Sequence, residues 1–414
     1  MDLGATMDIQ LSADQEKAAE AIISVIEKKA NGTLRGDEML LTMGGFAGTG
    51  KTTTLAAAVG MVEKRPRIAF CAFAGKAASV LKTKLERAGT LAPSDYVGTI
   101  HGLIYRPRHG GASGSITESD IDDKAPVERK PITGNTDQKM AFDLVDDIDQ
   151  SIIVVDEASM VNEQIFADLQ SFGYPIIAIG DHGQLPPVIG SFNLMEDPMI
   201  RLEKIHRQAE GDPIIHVSRL ARETGRIPIG VYGPGVEKIQ KTGSLAFAEK
   251  IGPSTMTLCG MNVTRVWWNN FLRTRYGFKS NDPEVGERII CLKNNREEEI
   301  YNGMTGVITS IVAKGQHWYK ISATMDAGNL YEGWCYKHQF GSVKTAFNVP
   351  GMPAWQVGDL FDWAYAMTVH KSQGSEADDV VVLEERISRT DDEWRRWLYT
   401  AVTRAKKKLL IVGS

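Results

Sequence analysis

The chain has 414 residues, 43% of them hydrophobic, and a formal net charge of −5. That length exceeds one typical domain and fits two or three, each with a sizeable core. The acidic balance excludes a global polycationic footprint, so any nucleic-acid contact must use a local groove. No apolar run is long enough to span a bilayer, and the opening MDLGATMDIQ lacks the basic-then-apolar order of a signal peptide. Cys71, Cys259, Cys291 and Cys335 are scattered, with no C-x-x-C pair, and read as buried reduced thiols. The expectation is a soluble cytoplasmic protein with no membrane contact.

In chain order, residues 11–27 carry apolar positions at helical spacing, with Ser12 as N-cap and Gln15 in the first turn. Residues 41–55, LTMGGFAGTGKTTTL, follow an apolar lead-in at 39–43 and run into a helical stretch at 52–59. Next come a strand at 67–73, a helix at 77–87, and a Gly-, Ser- and Asp-rich segment at 106–137 that carries at most a hairpin. Residues 151–157, SIIVVDE, place four β-branched residues in a row, the mark of a parallel strand buried on both faces. A helix at 161–172 and a strand at 175–179 complete a doubly wound α/β pattern. Lys51, Asp156 and Asp181 each come just after a strand, so they should share the crevice at the strands' carboxyl ends.

A second α/β unit begins after about residue 202, with strands at 255–259, 379–383 and 409–412 and helices at 263–276 and 392–405. Between 286 and 358 the texture changes. ERIICL, GVITSIV, WYKISATM and FGSVKTAF read as short alternating strands of a small inserted β-barrel.

The 41–55 stretch holds Gly45, Gly48, Gly50, Lys51 and Thr52 at the spacing G-x-x-x-x-G-K-[ST]. Its glycines let successive backbone N–H groups, with those of Thr49 and Thr53 alongside, converge on phosphate oxygens. Lys51 supplies a charge for the β- and γ-phosphates, and the Thr52 hydroxyl can ligate Mg²⁺. Asp156 is the matching Mg²⁺ ligand at a strand end, and Glu157 the base that polarises the attacking water. Together these residues point to hydrolysis of a nucleoside triphosphate. Trp267, Trp268, Trp334 and Trp355 are candidates to stack on bases, although core packing is the ordinary fate of a tryptophan.

GGFAGTGKTTT, VVDEASM, GDHGQLPPV, LEKIHRQ, AYAMTVHKSQGSE and WLYTAVTRA occur in this order. They resemble the ordered motifs of superfamily 1 helicases, in particular the RecD-like and phage Dda-like branch. The resemblance implies two RecA-like P-loop NTPase domains with parallel sheets, at 1–200 and 201–414. It also implies a pin-like hairpin insertion at about 104–148 and an SH3-like barrel insertion at about 286–358. Gln15 matches the glutamine that reads adenine, and Gln184 the one that senses the γ-phosphate. Arg207 and Arg404 match two arginine fingers. Gln373, Gly374 and Glu376 would lie on the nucleotide side of one motif, with Thr368, His370 and Lys371 on its DNA side. Lys76 and Ala77, and then Thr99 and His101, match segments that touch DNA; Phe73 and Ala74 depart from the family's usual Pro and Thr. Asn302 and Gly303 match a family turn.

By the same resemblance the protein would be an ATP- and Mg²⁺-dependent motor, active as a monomer, that moves 5′ to 3′ on single-stranded DNA. It would unwind forked or tailed duplexes alongside single-strand-binding or replication proteins, in replication, recombination or repair. An RNA helicase of the same superfamily, a small-molecule P-loop kinase and a nucleotide-gated clamp are the rivals. The kinase has no use for Arg207 and Arg404 on a second unit, and the clamp none for Glu157.

Overall fold

The computed structural model describes residues 11–107, 142–187, 192–203 and 211–414, apart from 243, 296, 348, 354, 355 and 389. The chain divides into two compact units: residues 1–104, 146–261 and 367–414 form the first, and 105–145 with 262–366 the second.

The first unit opens with α1 (Ala13–Ala30), whose buried face carries Ala18, Ile22, Val25 and Ile26 at helical spacing. The phosphate-loop stretch then joins β1 (Leu40–Gly45) to α2 (Lys51–Gly60). After these come β2 (Ile68–Ala72), α3 (Gly75–Arg87), β3 (Tyr96–Thr99) and the short α4 (Ile100–Ile104). Two strands of the second unit, β4 (Tyr105–Pro107) and β5 (Phe142–Leu144), pair antiparallel. The rest of the segment expected to form a pin lies outside the described residues. Back in the first unit, β6 (Ile152–Asp156), α5 (Glu163–Ser171), β7 (Ile176–Gly180) and β8 (Ile200–Leu202) complete a six-stranded parallel sheet. Its order is β3-β2-β6-β7-β1-β8. The run of β-branched residues from Ile152 to Val155 is wholly buried, as befits a strand in the interior of a parallel sheet. Since β6, β7 and β1 are neighbours, the loops that leave them come out side by side.

A second six-stranded sheet in the same unit has the order β17-β11-β18-β19-β10-β9. It is approached through α6 (Pro213–Thr224), capped by the Asp212 carboxylate, and built from β9 (Gly230–Gly233), β10 (Val236–Gln240) and β11 (Met256–Cys259). The chain then leaves for the second unit: α7 (Asn262–Arg275), β12 (Arg288–Cys291), β13 (Thr305–Lys314), β14 (Trp318–Met325), β15 (Leu330–Tyr336) and β16 (Phe361–Trp363). It returns through β17 (Ala366–Thr368), β18 (Ala377–Leu383), α8 (Asp391–Val402) and β19 (Ala405–Gly413). Strands β10, β11, β18 and β19 run parallel, and β9 folds back on β10. A capping box starts α8: Thr390 Oγ accepts from the Glu393 N–H, and the Glu393 carboxylate accepts from the Thr390 N–H.

The β-rich insertion departs from expectation in two ways. It is an open antiparallel sheet, β15-β14-β13-β12-β16, and no closed barrel forms among the described residues. Its two edge segments meet at one bridge, Cys335 with Asp359. FGSVKTAF is also not a strand. Gly341 takes φ +74°, and Ser342 Oγ donates to the Lys344 carbonyl at 2.7 Å, so the chain turns where alternation alone reads as extended. Leu330–Tyr336 and Phe361–Trp363 take the outer strand positions. Helix α7 packs within this unit. Arg265 and Arg273 are buried against Asp362 and Glu287, and the Asn269 amide exchanges hydrogen bonds with Ala366.

Candidate active site

The phosphate loop leaves β1 at Gly45 and enters α2 at Lys51. Gly48 and Gly50 sit at φ +82° and +77°, a region open to glycine at little cost. At Gly45 the constraint is space, since a Cβ there would lie 2.5 Å from Thr49 Oγ. Thr49 is fully buried, and its hydroxyl donates to the Phe46 carbonyl at 2.9 Å, cinching the loop. Lys51 Nζ donates to the carbonyls of Gly45 and Phe46 at 2.8 and 3.1 Å. Thr52 and Thr53 open the first turn of α2, with Thr53 exposed. Gln15 reaches this loop from α1. Its Nε2 donates to the Thr49 carbonyl at 2.9 Å while its Oε1 accepts from the Ser12 N–H, and the side chain is 1% exposed. The amide expected to read a base therefore also ties α1 to the phosphate loop.

Asp156 ends β6, and its carboxylate accepts from the Glu157 N–H at 3.0 Å. Glu157 is held at φ +53°, a left-handed backbone that costs a side-chain-bearing residue on the order of 1 kcal/mol or more. Burial raises both carboxyls above their ordinary range. The Asp156 charge raises Glu157 further, against the pull of Arg404 and Lys51. One carboxylate (Asp156) and one hydroxyl (Thr52) are oxygen donors of the kind that could hold Mg²⁺ beside phosphate and water oxygens.

Beyond β7, Asp181 is 1% exposed and organises its own turn. One carboxylate oxygen accepts from the Gly183 N–H at 2.9 Å, and the other from the Tyr399 hydroxyl at 2.7 Å. Gln184, 4% exposed, turns its Nε2 toward Asp181 at 3.4 Å. The second sheet's elements grip this loop. Thr400 Oγ accepts from the Leu185 N–H, Gln373 Nε2 donates to the Leu185 carbonyl, and Arg396 donates to the His182 carbonyl, at 3.0, 3.0 and 2.8 Å. Arg404 is buried, with its guanidinium donating to the carbonyls of Thr400 and Ser375 and to Thr403 Oγ. Arg207 lies outside the described residues.

Sequence reasoning passed over two groups here. The Tyr399 hydroxyl accepts from the Ala47 N–H of the phosphate loop at 2.8 Å, and the Arg222 guanidinium lies 3.6 Å from the centre of the Phe46 ring. Tyr399 stood inside the WLYTAVTRA motif, while nothing in the local pattern marks Arg222.

Two family models match the chain: an AAA domain over residues 27–190 and a UvrD-like helicase C-terminal domain over 363–412. The RecBCD enzyme subunit RecD of Mycobacterium tuberculosis is 26% identical across 92% of this chain and 68% of its own length. The ATP-dependent RecD2 DNA helicase of Deinococcus radiodurans is 24% identical across 92% of this chain and 48% of its own length. Among solved structures, Bacteroides Pif1 bound to single-stranded DNA shares the fold, with a TM-score of 0.53 at 18% identity over 98% of this chain and 92% of that one. The chain is thus similar to RecD-type helicases of superfamily 1 over nearly its whole length, and shares its fold with Pif1.

Within this helicase the residues expected on the DNA side fall into two groups. Lys76 and Ala77 open α3, and Gly374, at φ +71°, comes so close that a Cβ on it would lie 3.0 Å from that of Ala77. The loop bearing Thr368, His370 and Lys371 is thus brought to the start of α3. Burial lowers the His370 pKa, so its ring is neutral at pH 7. Thr368 Oγ accepts from the Lys371 N–H at 3.4 Å. Thr99 has a structural duty: its hydroxyl accepts from the Gly102 N–H at 3.0 Å in the first turn of α4. His101 packs edge-on against Phe73, one of the two positions that depart from the family pattern. Glu376 is exposed and paired with Lys406 at 3.2 Å. Of the tryptophans, Trp267 is half exposed and stacked on Phe271, Trp268 is buried, and Trp355 lies outside the described residues.

Proposed function

We propose that this ATP-dependent DNA helicase works as a monomeric translocase on single-stranded DNA, moving 5′ to 3′ and opening forked or tailed duplexes. One observation carries the coupling. The loop after β7, which leaves the first sheet beside the phosphate loop, is held by Gln373, Thr400 and Arg396 from the second sheet's elements. A change at the phosphates is thereby felt by segments that also carry Lys371 and Arg404.

In the proposed cycle the loop N–H groups and Lys51 bind the β- and γ-phosphates; Thr52 and Asp156 would hold Mg²⁺, which would supply positive charge against the phosphates. Glu157 takes a proton from the attacking water, a role suited to a carboxyl whose pKa is raised toward neutrality. Arg404 and Arg207 offset negative charge on the transferred phosphoryl group. Lys76, His370 and Lys371 meet the DNA backbone, and the 104–148 and 286–358 segments help to part and hold the strands. The direction of movement rests on the family resemblance.

The test is steady-state ATP hydrolysis with and without single-stranded DNA, with Lys51→Ala as control, and then unwinding of forks bearing a single 5′ or 3′ tail. Hydrolysis stimulated by DNA, lost in the control and productive on 5′ tails, is the expected result. Stimulation by RNA alone would overturn the substrate, and unwinding from 3′ tails the direction. Indifference to both polymers would refute the motor.

A further inference from the structure

The Tyr399 side chain is 1% exposed, and its hydroxyl makes two hydrogen bonds to groups far away in sequence. It accepts from the Ala47 N–H at 2.8 Å and donates to the Asp181 carboxylate at 2.7 Å. Burial and the Asp181 charge hold its pKa well above that of an ordinary tyrosine, so it stays a neutral phenol throughout the working range. A buried tyrosine hydroxyl needs one partner; this one holds two, from separate loops that are far apart in the chain.

Ala47 belongs to the loop whose N–H groups are shaped to receive phosphate oxygens. In this structure an oxygen from the other sheet's helix takes one of those donors. A phosphate oxygen that claims the Ala47 N–H must displace the phenol from it. The phenol keeps its bond to Asp181, so it loses its hold on the phosphate loop but not on the neighbouring turn. Helix α8 then loses one anchor to the nucleotide loop. Just beyond the end of that helix lies Arg404, whose guanidinium donates to the carbonyls of Thr400 and Ser375.

We infer that Tyr399 is a phosphate-exchanged latch: a positioning residue that reports occupation of the phosphate loop to α8 and thereby sets Arg404. The latch rests on the nucleotide-hydrolysing reading above. It predicts a split that ordinary packing does not. Tyr399→Phe keeps the ring and removes the competitor for Ala47. Nucleotide should therefore bind more tightly, by about fivefold, the exchange value of one neutral hydrogen bond. At the same time the stimulation of hydrolysis by single-stranded DNA should fall, because α8 is already released when no phosphate is bound.

The experiment measures binding of a fluorescent ADP analogue, and ATP hydrolysis with and without single-stranded DNA, for wild type, Tyr399→Phe and Trp394→Phe. Trp394 lies on the same helix and donates to the Gly225 carbonyl at 2.7 Å, so its variant loosens α8 without freeing the Ala47 N–H. Tighter binding with weaker stimulation by single-stranded DNA in Tyr399→Phe alone supports the latch. Unchanged or weaker binding in Tyr399→Phe overturns it, as does equal tightening in Trp394→Phe. Should Tyr399→Phe fail to fold, 3-fluorotyrosine at position 399 of the otherwise native chain gives the reading. Its ¹⁹F resonance must move when ADP is added, and a fixed resonance overturns the latch. A wild-type protein that binds no nucleotide would instead refute the hydrolytic reading on which the latch depends.

Discussion

Replacing Glu157 by glutamine should stop hydrolysis and make the protein more stable. The carboxyl is raised by burial and then by the Asp156 charge, and lowered by Arg404 and Lys51. At pH 7 the ionised side chain thus carries a net penalty, and glutamine removes it without changing shape. The gain should show as a higher unfolding midpoint for the variant. Loss of the base should lower kcat by about 10²–10⁴-fold and leave nucleotide affinity near that of wild type.

The pH dependence has a defined sign. A carboxyl with a raised folded-state pKa contributes stability below its ordinary value of 4.5, and that stability is lost as pH rises through the folded value. The advantage of Glu157→Gln should therefore grow as pH rises above the ordinary glutamate range. Wild-type kcat should fall on acidification at a pH above the ordinary glutamate range. Thermal unfolding monitored by circular dichroism across that range is the assay. A lower midpoint for the variant at pH 7 would refute the reasoning, since it would mean that attraction to Arg404 and Lys51 outweighs burial.

Two further substitutions test other parts of the molecule. Gly374→Ala combines a left-handed backbone with a Cβ 3.0 Å from that of Ala77. It should push the 368–374 loop off the start of α3, weaken single-stranded DNA binding several-fold in fluorescence anisotropy, and lower hydrolysis as well. In the second unit Arg273 donates to Glu287 at 2.9 Å and stacks 3.7 Å from the Trp363 ring centre. Arg273→Met leaves the buried Glu287 without its cation and should destabilise by about 3–5 kcal/mol in denaturant titration, and adding Glu287→Gln should recover part of that loss.

The hydrolytic half of the site was legible before any fold was known. A phosphate loop is a run of consecutive residues whose glycines, lysine and threonine act through local backbone geometry. Asp156 and Glu157 announce themselves by ending a β-branched strand. Local pattern misled where one turn decides the path: FGSVKTAF alternates like a strand, yet the positive φ of Gly341 and the Ser342 hydroxyl bend it. The tertiary structure alone decided who shares a hydrogen bond across the chain. Ala47 and Tyr399 are 352 positions apart, and no spacing rule links them. Arg222 meets Phe46 and Gln373 meets Leu185 for the same reason. Propensity and motif are properties of neighbours along the chain, whereas a buried donor takes whichever acceptor the packing of two sheets brings to it.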